Sequence, residues 1–176
     1  MKIIGLAGRA RTGKSTVCMH LVDKHSFGDY AFADPVKRGL MAMFELPEDL
    51  VFGEDKETVV LWIGQSLRDL MQTLGTEWGR EMVAPDIWVR CAARWLESVP
   101  RYWPGVVFSD VRYEEEAAFV RDRGGVIWHV RRDDAPQVRA HSSEAGIEVR
   151  EGDVVLPNNG ALEELYARID DLLRGM

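Results

Sequence analysis

The 176-residue sequence predicts a three-layer α/β fold, a five-stranded parallel sheet with helices on both faces. Three observations predict it. Short apolar runs alternate with stretches of helical periodicity along the chain, as crossover helices between parallel strands require. The first apolar run passes directly into Gly8-Arg-Ala-Arg-Thr-Gly-Lys-Ser15, which satisfies G-x-x-x-x-G-K-[ST] at every fixed position. No internal repeat, low-complexity tract or linker interrupts the pattern, so residues 1–176 are expected to form a single domain.

Ile3, Ile4, Leu6 and Ala7 read as a buried first strand, and Thr16, Val17, Leu21 and Val22 as the inner face of the helix after the loop. Tyr30–Ala33 reads as a short second strand. Asp34-Pro35 then opens a helix to about Phe44, with proline at the favoured first position. Glu45 to Lys56 is polar and is expected to be an irregular loop. Ile63, Leu67, Leu70, Met71 and Leu74 recur at helical spacing, and Gly75 is expected to end that helix. Pro85-Asp86 begins another, with Ile87, Cys91, Trp95 and Leu96 inward. Gly105–Ser109 is a buried strand ending at Asp110, and a helix from about Glu114 stops at Gly124-Gly125. Val126–Val130 is the next strand, and Val154–Leu156 the last. The final helix carries Leu162, Leu165, Tyr166, Ile169, Leu172 and Leu173 at helical spacing. Five strands with crossover helices make a nucleotide-kinase-like layout.

Composition narrows the classes. No apolar stretch approaches the roughly 18 residues that cross a bilayer, so no membrane contact is expected. The chain enters its first strand at once, so a signal peptide is not expected. Cys18 and Cys91 are spaced neither as a metal site nor as a redox pair and read as reduced core thiols, which points to the cytoplasm. A net charge of −7 argues against nucleic acid as the ligand. Yet 17 of the 22 basic residues are arginine, whose planar fork suits phosphate oxygens. An acidic body with arginines near motif-like segments suits a small phosphorylated ligand. Oligomeric state stays open, a homodimer included.

The phosphate-binding loop (P-loop, or Walker A) is expected to hold a nucleoside triphosphate through Gly8, Arg9, Ala10, Arg11, Thr12, Gly13, Lys14, Ser15 and Thr16. Its glycines let successive amides point into one concavity, and the following helix adds its unpaired N-terminal amides. Lys14 would neutralise the β- and γ-phosphates, and the Ser15 hydroxyl would ligate Mg²⁺. Asp110, at the end of an apolar strand, is a second Mg²⁺ candidate; the bland reading is a helix-capping aspartate. Arg112 lies close enough to reach the same ligand. Arg68 and Gln72 share a helix face, and with Arg80 and Trp78 they could hold a monophosphate and its base. A solvated face with a tryptophan anchor explains them equally well. Among six tryptophans, Trp78 and Trp88 stand out as candidates for ligand contact. Asp34 sits at the mouth of the predicted sheet, where it either caps its helix or touches substrate. Arg131 to Ala145 holds Arg131, Arg132, Arg139, His141 and Glu144 and reads as a lid that excludes water and supplies charge to the transition state. His141 has no partner at metal-ligand spacing.

With these residues in view, the chain resembles the bacteriophage-type deoxynucleoside monophosphate kinases of the P-loop nucleotide kinase superfamily. The resemblance rests on Gly8–Thr16, Phe32-Ala-Asp-Pro-Val-Lys37 and, most specifically, Leu67-Arg-Asp-Leu-Met-Gln-Thr-Leu-Gly-Thr-Glu-Trp-Gly-Arg80. It continues through Pro85–Val89, Ser109–Tyr113, His141–Glu144 and Asn158-Asn159-Gly160, in family order from end to end. Where the family carries leucine after the proline of the second block, this chain has Val36. The resemblance implies a P-loop kinase fold with a lid segment, and transfer of the ATP γ-phosphate to a deoxynucleoside 5′-monophosphate for DNA precursor synthesis. It places that activity in the cytoplasm, the host's if the source is viral. It also implies that Asp34, Lys37, Arg68, Gln72, Arg80 and Arg112 surround the acceptor, with residues 34–84 as the monophosphate-binding region and 131–145 as the lid.

A monophosphate acceptor needs no general base, because its attacking oxygen is already largely anionic at neutral pH. Lys14, Arg132 and Arg139 are then the candidates for stabilising transferred charge. The rival is a kinase acting on a hydroxyl, dephospho-coenzyme A-like or on hydroxymethylated DNA bases, with Asp34 or Asp110 as base.

Overall fold

The computed structural model describes residues 1–53, 55–133 and 147–176. They group into two compact units, one made of Met1–Phe32 with Trp95–Met176, the other of Ala33–Arg94.

The first unit holds a five-stranded sheet. Its strands are β1 (Lys2–Ala7), β2 (Gly28–Tyr30), β5 (Gly105–Val111), β6 (Val126–Arg131) and β7 (Val154–Pro157), in the order β2-β5-β1-β6-β7. Every pairing is parallel, as predicted. Parallel strands buried on both faces must be apolar, which is why the three central strands, β1, β5 and β6, were legible as continuous runs. Ile4, Leu6, Val107, Phe108, Ile127 and Trp128 are fully buried. Helices α1 (Lys14–His25), α6 (Glu114–Arg121) and α7 (Leu162–Gly175) belong to this unit. α7 buries Leu165, Ile169 and Leu173, one per turn, and leaves Leu162 exposed at its start.

Strand boundaries differ from expectation. β6 and β7 each run one residue further, to Arg131 and Pro157; β2 starts at Gly28 and ends at Tyr30 instead of spanning Tyr30–Ala33, and β5 extends past Ser109 to Val111. The Phe32 N–H donates to Asp110 Oδ1 at 2.6 Å, so a side chain replaces the ladder there. α6 starts where Glu116 accepts the N–H groups of Arg112 (2.8 Å) and Tyr113 (3.2 Å), consuming amides that lack helical partners.

The Ala33–Arg94 unit contains α2 (Asp34–Phe44), α3 (Glu48–Phe52), a hairpin of β3 (Val59–Val60) and β4 (Gln65–Ser66), and α4 (Leu67–Gln72). A π-helical segment, Thr73–Val83, follows, and α5 (Ile87–Ser98) begins here and ends in the other unit. Four expectations are corrected. Glu45 to Lys56 is not wholly irregular: Glu48 and Asp49 supply the acidic first turn of α3. Ile63 lies in the hairpin turn, and α4 starts at Leu67 behind Ser66, whose hydroxyl accepts the Asp69 N–H at 3.1 Å. On α5 the buried residues are Trp88 and Ala92, while Ile87, Cys91, Trp95 and Leu96 are half-buried.

The fourth correction concerns Gly75. It does not stop the helix; the coil widens and continues to Val83. The Trp88 indole N–H donates to Gly75 O at 2.7 Å, and a Cβ on Gly79 would lie 2.3 Å from the Trp88 ring. A side chain inserted into the ladder, beside two residues lacking Cβ, accounts for the wider turn. The Ala84 N–H closes it on Gly79 O at 3.0 Å, an i→i−5 bond.

Candidate active site

The phosphate-binding loop joins β1 to α1 in the central strand of the sheet. Gly8 has φ +144°, and a Cβ there would lie 2.4 Å from Val130 O, so the backbone of β6 excludes any side chain. Gly13 has φ +102°, just before the first residue of α1. Between them Arg11 adopts the left-handed region at φ +62°, and buried Thr12 ties the turn by donating its hydroxyl to Arg9 O at 2.9 Å. Lys14 Nζ lies across the loop, donating to Gly8 O (2.7 Å) and Arg9 O (2.8 Å). The ammonium is therefore held at the concavity where phosphate oxygens would compete for it.

The segment after β7 braces this loop. Asn158 Nδ2 donates to Thr12 O at 2.9 Å, and the Asn158 N–H donates to Arg131 O at 2.7 Å. Asn159 and Asp133 exchange two further bonds, of 2.7 and 3.0 Å. Sequence reasoning quoted both asparagines without giving them work. A cavity of about 450 Å³ opens beside the loop, lined in part by Gly8, Arg9, Thr12, His129, Arg131 and Arg132. Arg131 and Arg132 are exposed; Arg139, His141 and Glu144, with the rest of the predicted lid through residue 145, lie outside the described residues.

The register pairs Ala7 with Val111, placing Asp110 beside the strand end that enters the loop. Its Oδ1 accepts from Phe32 N, and Arg112 follows it half-buried. Ser15 and Asp110 offer hard oxygen donors of the kind Mg²⁺ takes.

His129 was hidden inside an apolar run. Its Nε2 lies 2.9 Å from Asp153 Oδ2, which also receives Arg121 Nη2 at 2.6 Å and the Arg150 N–H at 2.9 Å. Burial pushes the Asp153 carboxyl up, but the bonds from Arg121, Arg150 and His129 outweigh it and bring it down to about 2. A fixed carboxylate thus orients the imidazole that faces the cavity.

The Ala33–Arg94 unit carries a second set of predicted residues. Asp34 is the first residue of α2, and its Oδ1 lies 3.8 Å from Lys37 Nζ, which stands 4.7 Å over the Phe52 ring. Arg68 Nε donates to Glu57 Oε1 at 2.5 Å. Lys56, expected only as the end of a polar loop, donates to Val51 O at 2.5 Å. Its pKa is lowered by burial, then by the charges of Lys37 and Arg68. Lys56 therefore feels two neighbouring cations, Lys37 beside Asp34 and Arg68 beside Glu57. No spacing rule would have found Lys56; its polar loop gives no periodicity. Gln72 is half-buried at the end of α4, and Trp78 is 47% exposed. Arg80 Nη1 reaches Pro85 O at 3.4 Å. Trp88 is buried beneath the π-helical segment, so it acts there through packing.

Comparison with known proteins agrees with this picture. Residues 54–169 match the family model described as deoxynucleotide monophosphate kinase. A protein of Acanthamoeba polyphaga mimivirus, assigned as a deoxynucleotide monophosphate kinase, is 32% identical over 96% of this chain and 94% of its own. The deoxynucleotide monophosphate kinases of Escherichia phage RB69 and Enterobacteria phage T4 are 34% and 33% identical over 62% of this chain, spanning 45% and 46% of those proteins. Among solved structures, a Janibacter sugar kinase superposes with TM-score 0.52 at 14% identity, covering 99% of this chain and 95% of its own. A Thermus thermophilus protein does so with TM-score 0.55 at 19% identity, covering 99% and 97%. These likenesses carry the fold alone, a parallel α/β sheet with its flanking helices.

Proposed function

Because the chain belongs to the deoxynucleotide monophosphate kinase family, we propose that it transfers the γ-phosphate of ATP to a deoxynucleoside 5′-monophosphate, giving ADP and the deoxynucleoside diphosphate. The observation that carries this reading is the Gly8–Ser15 loop, closed around the Lys14 ammonium between the central strand and α1.

Residues Gly8 to Thr16 hold the triphosphate through backbone amides and the N-terminus of α1. Lys14 exchanges its two loop carbonyls for phosphate oxygens, a move that keeps the ammonium hydrogen-bonded throughout. Ser15 and Asp110 would hold Mg²⁺, which supplies charge neutralisation on the β- and γ-phosphates. Asn158 keeps the loop in shape by its bond to Thr12 O. Arg132 and Arg139 serve the transferred phosphoryl group as the lid's cations, and Arg112 serves the ligand beside Asp110.

On the acceptor side, Lys37, Lys56 and Arg68 hold the 5′-phosphate. Burial and then the charges of Lys37 and Arg68 lower the Lys56 pKa, and a bound dianion would offset both. Gln72 offers amide hydrogen bonds to the base, Trp78 an exposed ring to stack on it, and Asp34 and Arg80 complete the surround. Trp88 holds the π-helical segment in place from below. The acceptor's phosphate oxygen attacks the γ-phosphorus, the bond to the β-bridging oxygen breaks, and ADP leaves. No proton has to be removed first, since the second ionisation of a phosphate ester lies near pH 6. The work is alignment of two polyanions and cancellation of their repulsion. None of the described helices is long and apolar enough to cross a membrane; the proposed activity belongs in the cytoplasm, the host's if the source is viral.

An ADP-release assay across deoxynucleoside monophosphates, their ribose counterparts, 5-substituted pyrimidines and hydroxylic acceptors tests the reading. Release that requires a deoxynucleoside monophosphate supports it. Release only with hydroxylic acceptors, or equally fast with ATP alone, refutes it.

A further inference from the structure

The far end of α1 carries a side-chain cluster that phosphoryl transfer does not use. His20 and His25, on the last two turns of α1, converge with Asp170 of α7. Both imidazole Nε2 atoms address the same carboxylate oxygen, Asp170 Oδ1, at 2.9 and 2.8 Å. All three potential ligand atoms lie within 4.8 Å of one another. From this convergence we propose that His20, His25 and Asp170 form a binding site for a borderline divalent transition-metal ion, Zn²⁺ in the first instance, clamping α1 to α7.

The chemistry suits the ion. Two imidazole nitrogens and one carboxylate oxygen are a zinc donor set, with a fourth position left for water. Bonds of about 2.0–2.1 Å in tetrahedral array place neighbouring donors roughly 3.3 Å apart. The carboxylate oxygen therefore has to retreat from each nitrogen by about half an ångström, and the two nitrogens, which lie within 4.8 Å, have to settle at that same spacing by rotation of the partly exposed His25 side chain. Solvent can reach the cluster: the side chains of His25 and Asp170 are 26% and 21% exposed, whereas His20 is 6% exposed.

The surroundings orient the donors as outer-sphere partners do. Lys24 Nζ holds the other Asp170 oxygen, Oδ2, at 2.7 Å, which leaves Oδ1 to the imidazoles. The His20 ring is stacked on Tyr166, 4.0 Å between centroids and 12° from parallel, so its nitrogen is aimed before any ligand arrives. As metal ligands the imidazoles would bind through Nε2 and carry the ring proton on Nδ1. A hard cation such as Mg²⁺ gains little from two nitrogens, which separates this site from Ser15 and Asp110.

The test uses the full, untagged chain, stripped with a chelator and free of nucleotide. Co²⁺ titration is expected to give a visible tetrahedral absorption that saturates at one equivalent, is displaced by Zn²⁺ and is untouched by excess Mg²⁺. In His25→Ala and in Asp170→Asn the apparent affinity should fall at least about tenfold. Phosphotransfer by His25→Ala should stay at the wild-type rate. In wild type, Zn²⁺ at a hundred times its dissociation constant should raise the melting midpoint by roughly 5–10 °C. Anomalous scattering at the zinc edge from wild-type crystals needs no variant, and its peak should fall among the three ligand atoms. A peak elsewhere, a thiolate-to-cobalt charge-transfer band, a titration that never saturates, or a signal intact in His25→Ala would each overturn the proposal.

Discussion

Replacing Lys56 by methionine keeps most of the side chain's length and apolar stem while deleting its charge. In the free protein the ammonium is disfavoured by burial and by Lys37 and Arg68, and its one described bond, to Val51 O, is 2.5 Å long. Removing it relieves repulsion between cations and gives up one hydrogen bond, and these opposing effects should leave the melting midpoint within a few degrees. With a phosphate dianion bound the balance reverses. A charge-assisted hydrogen bond contributes roughly 1.5–3 kcal/mol, so its loss should raise KM for the deoxynucleoside monophosphate about ten- to a hundredfold. KM for ATP should change less than about threefold, since the loss is confined to one ligand's binding. Steady-state kinetics with each substrate varied in turn provide the measurement. Inorganic phosphate offers a second readout, because it should protect wild type against heat more than Lys56→Met. An unchanged acceptor KM, or a rise confined to ATP, would refute the assignment of Lys37, Lys56 and Arg68 as the phosphate cradle.

Three further predictions follow from the packing. Asn158→Ala leaves Thr12 O without its 2.9 Å donor and should raise KM for ATP several-fold at a cost of about 1 kcal/mol, with the acceptor KM little changed; kinetics unchanged for both substrates would show that the brace is unnecessary. Trp88→Phe removes the 2.7 Å bond to Gly75 O and should lower stability by roughly 1–3 kcal/mol, read as a melting shift of several degrees, and an unmoved midpoint would mean the indole does not pin the wide coil. Asp153 is held at about 2 against an ordinary 3.8, so its contribution is fully present above about pH 4 and is lost as pH falls toward 2. That contribution is about 2 kcal/mol, and Asp153→Asn should flatten the acid limb of a stability–pH curve; an identical limb in the variant would contradict it.

What the sequence disclosed follows from periodicity and from backbone demand. The three central strands, β1, β5 and β6, stood out because both faces are covered, whereas the edge strand β2, with Asp29 exposed, was displaced in the reading. The loop was visible because its glycines are fixed by φ and by contact, as at Gly8 against Val130 O. Gly75 misled because a glycine that ends an α-helix and one that lets a helix widen look alike in one dimension; only the Trp88 indole, 13 residues on, distinguishes them. The β3–β4 hairpin, with two residues per strand, is too short for an alternating pattern. Lys56 and His129 escaped because their importance comes from neighbours distant in the chain. The same holds for His20 and His25, whose partner Asp170 is 150 and 145 residues away.

The fate of a labelled γ-phosphate tests the central claim most directly. With γ-³²P-ATP and a deoxynucleoside monophosphate, label should appear in the β-position of the deoxynucleoside diphosphate at the rate ADP forms. Lys14→Ala should lower that rate at least about a hundredfold. Label recovered as inorganic phosphate, on a hydroxyl, or at an undiminished rate in Lys14→Ala would contradict it.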